Sequence, residues 1–118
     1  MKKILILFIC ILLSSCFAGK DQFGGLGIEV PSGIETVTDE NPYKIVNVYE
    51  GFPGAQVGLQ PGDIIISIDG NVLKGLTQEH IYKNLLRGKA GTTVILEIKR
   101  EDKTLIFRPV RQKIIVQE

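Results

Sequence analysis

The hydrophobic pattern changes period repeatedly along the chain, and each change marks an element. Ile4 to Leu13 is an unbroken apolar run. Further on, Leu26, Ile28 and Val30 fall at every second position, which predicts a strand over Gly27 to Val30. Lys44 to Tyr49, "KIVNVY", predicts another. Ile64 to Ile68 is apolar at four of five positions and predicts a strand buried on both faces. "TTVILEIKR" and "TLIFRPVR" predict two more, joined by Glu101-Asp102-Lys103. Between Gln78 and Arg87 the spacing lengthens to the helical period, with Ile81, Tyr82, Leu85 and Leu86 on one face. Thr77 is the expected N-cap of that helix and Gly88 its expected end.

The punctuation between these runs is equally directive. Pro53 and Gly58 bracket a helix of one or two turns, and Pro61-Gly62 makes a turn after it. Asp69-Gly70-Asn71 signals a tight turn, and Pro31 to Tyr43, with its Asp39-Glu40-Asn41-Pro42 cluster, reads as a loop. Five or six short strands and two helices of unequal length predict an α+β or mostly-β fold, a small, partly open barrel. At 118 residues, with no internal repeat, there is room for one small domain.

The N-terminal segment stands apart from that domain. Met1-Lys2-Lys3 is a basic start, and the following apolar run is too short to span a bilayer but matches the core of a signal peptide. Leu13-Ser14-Ser15-Cys16 then resembles the lipobox of bacterial lipoproteins, in which the cysteine is acylated and becomes the new N-terminus. The expected organisation is a lipoprotein signal peptide over residues 1–15, lipidated Cys16 and a tether over 16–22, and a folded domain over 23–118. Cys10 would leave with the leader, so the mature chain has no thiol pair. The formal charge of +1 provides no basic stripe for nucleic acid. Without Lys2 and Lys3, lipid rather than charge would hold the protein to a membrane.

The order of glycine loop, strand, short helix, "GLQPGDIIISIDG", longer helix and closing strands resembles a PDZ domain. "EGFPGAQVGLQPGDIIISIDG" followed by "LLRGKAGTTVILEIKR" is most similar to the PDZ domains of bacterial carboxy-terminal processing proteases, over roughly Phe23 to Val116. Those proteases continue into a peptidase domain with a serine–lysine dyad, for which the sequence to Glu118 has no counterpart. Pro31 to Tyr43 is also longer than the connection usual there. Bacterial domains of this type are circularly permuted relative to animal ones, and "TLIFRPVR" would supply their C-terminal strand.

The resemblance assigns a task to "FGGLGIEV". Backbone N–H groups turned toward one point form an anion-binding nest, and glycine permits the positive φ that such a turn needs. Gly25, Leu26, Gly27 and Ile28 would hold a peptide's terminal carboxylate. Glu29, Val30, Glu79, Tyr82, Lys83 and Leu86 would line the groove in which the peptide adds as a strand. Two registers of the longer helix stay open: Glu79, Lys83 and Leu86 toward the groove, or Gln78, Tyr82 and Leu85. Neither brings His80 to where animal PDZ domains keep a histidine for Ser or Thr ligands. Burial of one Val or Leu side chain contributes about 1.5–3 kcal/mol, and micromolar affinity, roughly −8 kcal/mol, is expected.

Catalytic chemistry finds little support. His80 is a lone histidine on a helix, Ser67 sits mid-strand and Ser32 lies in a loop without a neighbouring base. Gly25-x-Gly27 opens a dinucleotide fingerprint, but Val30 stands where its third glycine belongs. Asp63 and Asp69 read as turn residues, and Lys99-Arg100, Arg108 and Arg111 as a solvated face. No metal, cofactor or enzymatic activity is expected. The expected function is a lipid-anchored, extracytoplasmic module of a bacterial cell envelope that binds C-terminal tails of envelope proteins, with a separate protease as a further partner. The alternatives are an assembly scaffold for folded partners and a partner-activated protease fragment.

Overall fold

The computed structural model describes residues 22–115; the expected leader, Cys16 and most of the tether lie outside them. Strand β1 (Gln22–Gly25) is followed by β2 (Ile28–Glu29), β3 (Asn47–Val48) and the short helix α1 (Pro53–Val57). Next come β4 (Ile64–Ile68) and β5 (Asn71–Val72). The second helix, α2, is α-helical over Gln78–His80 and π-helical over Ile81–Leu86. The chain then forms β6 (Leu96–Arg100), β7 (Lys103–Phe107) and β8 (Gln112–Ile115). The fold is mostly β with two short helices, as expected, although the described residues form eight short strands rather than five or six.

The densest apolar run, β4, lies inside a four-stranded antiparallel sheet of order β5-β4-β6-β7. Ile65 pairs with Ile98 and Ile68 with Leu96, with a bulge between Ile65 and Ser67. All four isoleucine and leucine side chains are buried, with Tyr43, Ile45 and Ile81, in one core. The expected tight turn joins β4 to β5: Asp69 (φ 51°) and Gly70 (φ 85°) are both left-handed, the requirement of a two-residue hairpin turn. Burial and the neighbouring Tyr82 hold the Tyr43 phenol well above its ordinary pKa.

Two pairings depart from expectation. Gly24 and Gly25 lie in β1, whose partner is β8, with Phe23 opposite Ile114 and Gly25 opposite Gln112. The strand that closes the fold from the C-terminal side is therefore Gln112–Ile115, whereas "TLIFRPVR" supplies β7 and pairs with β6. The expected strands over 27–30 and 44–49 also shorten to Ile28–Glu29 and Asn47–Val48. Pro31 to Tyr43 stays irregular but is strapped down. Glu35 and Gly33 carbonyls accept the Gln78 and Glu79 amides at 3.0 Å each, and the Val37 amide donates to Leu76 at 2.8 Å.

Helix α2 begins as its sequence requires, with Thr77 Oγ1 accepting from the His80 amide at 3.1 Å. Its continuation is π-helical, and the Arg87 amide reaches back five residues to the Tyr82 carbonyl at 3.1 Å. That winding lets Ile81 and Leu86, five apart, both enter the core. Gly88 is not a left-handed cap; a Cβ there would come within 2.7 Å of the Arg111 guanidinium carbon.

Two arginines expected on a solvated face are structural. Arg111 is only 8% exposed. Its Nε donates to the Leu86 carbonyl at 3.0 Å, Nη2 to Leu85 at 3.0 Å and Nη1 to Thr92 Oγ1 at 2.9 Å. It thus satisfies carbonyls that a helix end leaves unpaired and places a cation at the negative pole. Arg100 clasps the buried Asp63 with Nε and Nη2 at 2.8 Å each, while Asp63 also accepts the Gln60 amide at 2.9 Å, closing the turn it was expected to serve. Arg111→Leu should lower unfolding stability by roughly 2–4 kcal/mol, because it orphans two buried carbonyls. Denaturant titration measures the loss, and hydrogen exchange should quicken at the Arg87 and Gly88 amides ahead of the central sheet.

Candidate functional site

The backbone between β1 and β2 makes a bend that only glycine tolerates. Gly27 has φ 71°, and a Cβ on it would fall inside the Phe52 side chain, which leads into α1. The bend is anchored through its carbonyls: Leu26 accepts the Gly54 amide and Gly27 the Tyr49 amide, both at 2.9 Å. Its N–H groups are left over. Among the described residues, neither the Leu26 nor the Gly27 amide donates to a backbone carbonyl. Ile28 opposes Val48 between flanking ladder bonds, so its own N–H and C=O point away from β3. Leu26, Gly27 and Ile28 all line one cleft with Tyr82 and Leu86 of α2, beside the free edge of β2.

Between that edge and α2 runs a groove in three connected stretches. The first, a cleft of about 260 Å³, lies at the bend and is lined by Gly25, Leu26, Gly27 and Ile28, with Tyr82 and Leu86 from the helix. The second, about 230 Å³, follows Ile28 to Ser32 past Tyr82. The third, about 330 Å³, lies between the strapped loop at Ser32, Gly33 and Ile34 and the helix at Gln78, Glu79, Tyr82 and Lys83. All ten residues expected at the loop and groove thus line one continuous surface. The helix face is a blend of the two registers: Glu79, Tyr82, Lys83 and Leu86 line it, joined at its far end by the largely buried Gln78, while Leu85 packs against the core.

The polar groups along the groove are mostly committed. Glu79 and Lys83 pair at 2.8 Å, and that hydrogen bond and charge hold the Glu79 carboxyl below its ordinary pKa. Glu29 Oε1 accepts from Asn47 Nδ2 at 3.0 Å and from the Tyr49 hydroxyl at 3.3 Å. The negative charge of Glu29 is the main cause of the raised Tyr49 pKa. Phe23, Tyr49, Phe52, Arg87 and Ile114 also line the first cleft and were not anticipated. Arg87 follows Leu86 directly and Phe52 precedes the predicted helix start, so both adjoined visible signals. Phe23 and Ile114 depend on the β1–β8 pairing, which no local pattern announces. A hollow of about 340 Å³ elsewhere, between Pro42 and Lys99, is bounded by β4, which is paired on both edges and offers no strand edge.

A PDZ-domain family model matches residues 44–100. Over 100 residues the chain is 38% identical to the carboxy-terminal-processing protease of Bartonella bacilliformis, covering 83% of this chain and 21% of that protein. This is a PDZ domain. Its fold matches the PDZ domain of the carboxy-terminal protease from Vibrio cholerae in complex with peptide. The TM-score is 0.57 at 21% identity, covering 80% of this chain and 99% of that one. It also matches the HtrA-type protease AlgW with decapeptide, at a TM-score of 0.68 and 21% identity over 94% of this chain and 35% of that one. The chain spans about a fifth of the length of the curated relatives it matches.

Within this PDZ domain the bend itself is the sensitive point. Gly27→Ala should cost more stability than Gly75→Ala. Both sites have positive φ, which alone costs about 1–2 kcal/mol for a side chain, but Gly75 faces open space and Gly27 faces Phe52. Comparing the two denaturation midpoints isolates the clash.

Proposed function

We propose that this PDZ domain binds the free C-terminal tails of other polypeptides by strand addition along β2. The carrying observation is the set of unpaired amides at Leu26 and Gly27, continued by the outward N–H of Ile28, at the end of an open strand edge. A terminal carboxylate is the one group on an extended peptide that such a nest suits at that position. The last side chain would enter the first cleft against Ile28, Phe52 and Leu86. The peptide-bound state of the Vibrio cholerae domain supports the same use of the fold.

On this reading the chain binds and does not cleave. Cys16 carries lipid and holds the domain at the extracytoplasmic side of a bacterial membrane, on the outer face of the cytoplasmic membrane or the periplasmic face of an outer one. There the domain gathers tails of envelope proteins and delivers them to a separate protease. A scaffold role draws some support from Ile106 on β7 and Val110 beyond its end, both half exposed. A partner-activated protease fragment draws support only from the relatives being proteases.

The deciding measurement is fluorescence anisotropy with octapeptides ending in leucine or valine, as free acids and as C-terminal amides. Free acids should bind with micromolar affinity, and amidation should weaken binding at least tenfold. Equal affinity for both would remove the carboxylate reading and favour the scaffold. The anchor has its own test: Cys16→Ser should move the protein from the membrane fraction to the soluble one, and unchanged partitioning would refute lipidation.

A further inference from the structure

The amides of the bend are neutral dipoles, yet one formal charge borders the same cleft. Among the described residues Arg87 is the sole ionisable cation lining it, and none of the others lining it is acidic. Its guanidinium carbon lies 4.3 Å from the centre of the Phe23 ring and 5.5 Å from that of Tyr82. Phe23 in turn borders the bend, since a Cβ on Gly25 would lie 3.2 Å from the Phe23 ring. Two aromatic faces thus hold the cation at the cleft that the bend also lines. Among the described residues Arg87 has no carboxylate at ion-pairing distance, unlike Lys74, Lys83 and Arg100. The other groove cation, Lys83, is neutralised by Glu79.

We propose that Arg87 is a ligand-binding residue whose guanidinium pairs with the terminal carboxylate of the bound tail, adding a full charge to the amide nest. This rests on the tail-binding reading above. A guanidinium stacked on aromatic rings keeps its in-plane N–H groups free, so the stacking orients the donors instead of consuming them. The cleft is partly apolar, where a charge-assisted hydrogen bond is stronger than in water. Arg87 at the bend and Glu29 farther along also give the groove a polarity, positive where the tail ends and negative upstream. That polarity favours a chain running antiparallel to β2. The preferred ligand is therefore a free carboxylate on an apolar last residue, with acidic residues disfavoured beside Glu29.

The test is a cycle between Arg87→Gln and ligand amidation, using the full-length protein and the leucine-ending octapeptide as acid and amide. Arg87→Gln should weaken the acid about tenfold and change the amide less than twofold. Arg87→Lys should retain part of the acid preference. Added salt should weaken acid binding more in the wild type than in Arg87→Gln. Equal weakening of acid and amide by Arg87→Gln would overturn the inference and leave Arg87 as a packing residue, with the tail-binding reading intact. A wild-type protein that binds neither peptide, or both alike, would instead overturn the tail-binding reading and this inference with it.

Discussion

The groove depends on a buried guanidinium that, with the backbone bridge between Gly24 and Gly88, ties together parts of the chain far apart in sequence. Arg111 closes the carbonyl end of α2 through Leu85 and Leu86, and bonds Thr92 across the loop that leads to β6. Immediately after it, β8 begins and pairs with β1. The Arg111 side chain and the Gly24–Gly88 backbone pair, bonded both ways at 2.7 and 3.1 Å, together set the distance between the helix wall of the cleft and the strand ribbon that flanks the bend. Gly88 and Gly24 leave room for this arrangement, since a Cβ on either would collide with Arg111 or with the backbone at Gly88 and Ala90. The glycines near the site thus serve two separate ends. Gly27 supplies a backbone angle, while Gly24 and Gly88 supply closeness.

Much of this was legible from the residues alone, where the cause was local. Pro53 and Gly58 bracket α1 because one presets a helical φ and the other accepts the left-handed angle at its end, φ 102°. Asp69-Gly70 makes its hairpin and Thr77 caps its helix for similar reasons. The features that escaped are set by partners distant in sequence. Gly24 and Gly25 have little strand propensity, and only the pairing with residues some ninety positions later makes them a strand. The π-helical winding of α2 answers to the burial of both Ile81 and Leu86, which spacing alone assigns to an ordinary helix. Arg111 and Arg100 looked like surface charges because arginine is rarely buried without partners, and the partners appear only in three dimensions.

The candidate site divides along the same line. The bend and its apolar neighbours were singled out because the order of elements resembles a PDZ domain, which gives the glycine cluster its place; the short motif alone is compatible with an ordinary turn. The aromatic frame of Phe23, Tyr49 and Phe52 was not, since each residue reads singly as ordinary core. The loop from Pro31 to Tyr43 was visible as an extra length of chain, but its bonding to Gln78 and Glu79 was not. That strap gives the first turn of α2 its amide partners and forms the far wall of the groove.

The antiparallel ribbon of β1 and β8 puts Gln22 opposite Ile115, so both ends of the described domain leave from one corner. A force drawing those ends apart would open the ribbon like a zipper, one pair at a time. Phe23 and Ile114 form the second pair in that sequence, and both are walls of the first cleft. Such tension would therefore dismantle the first cleft while the four-stranded sheet was still intact.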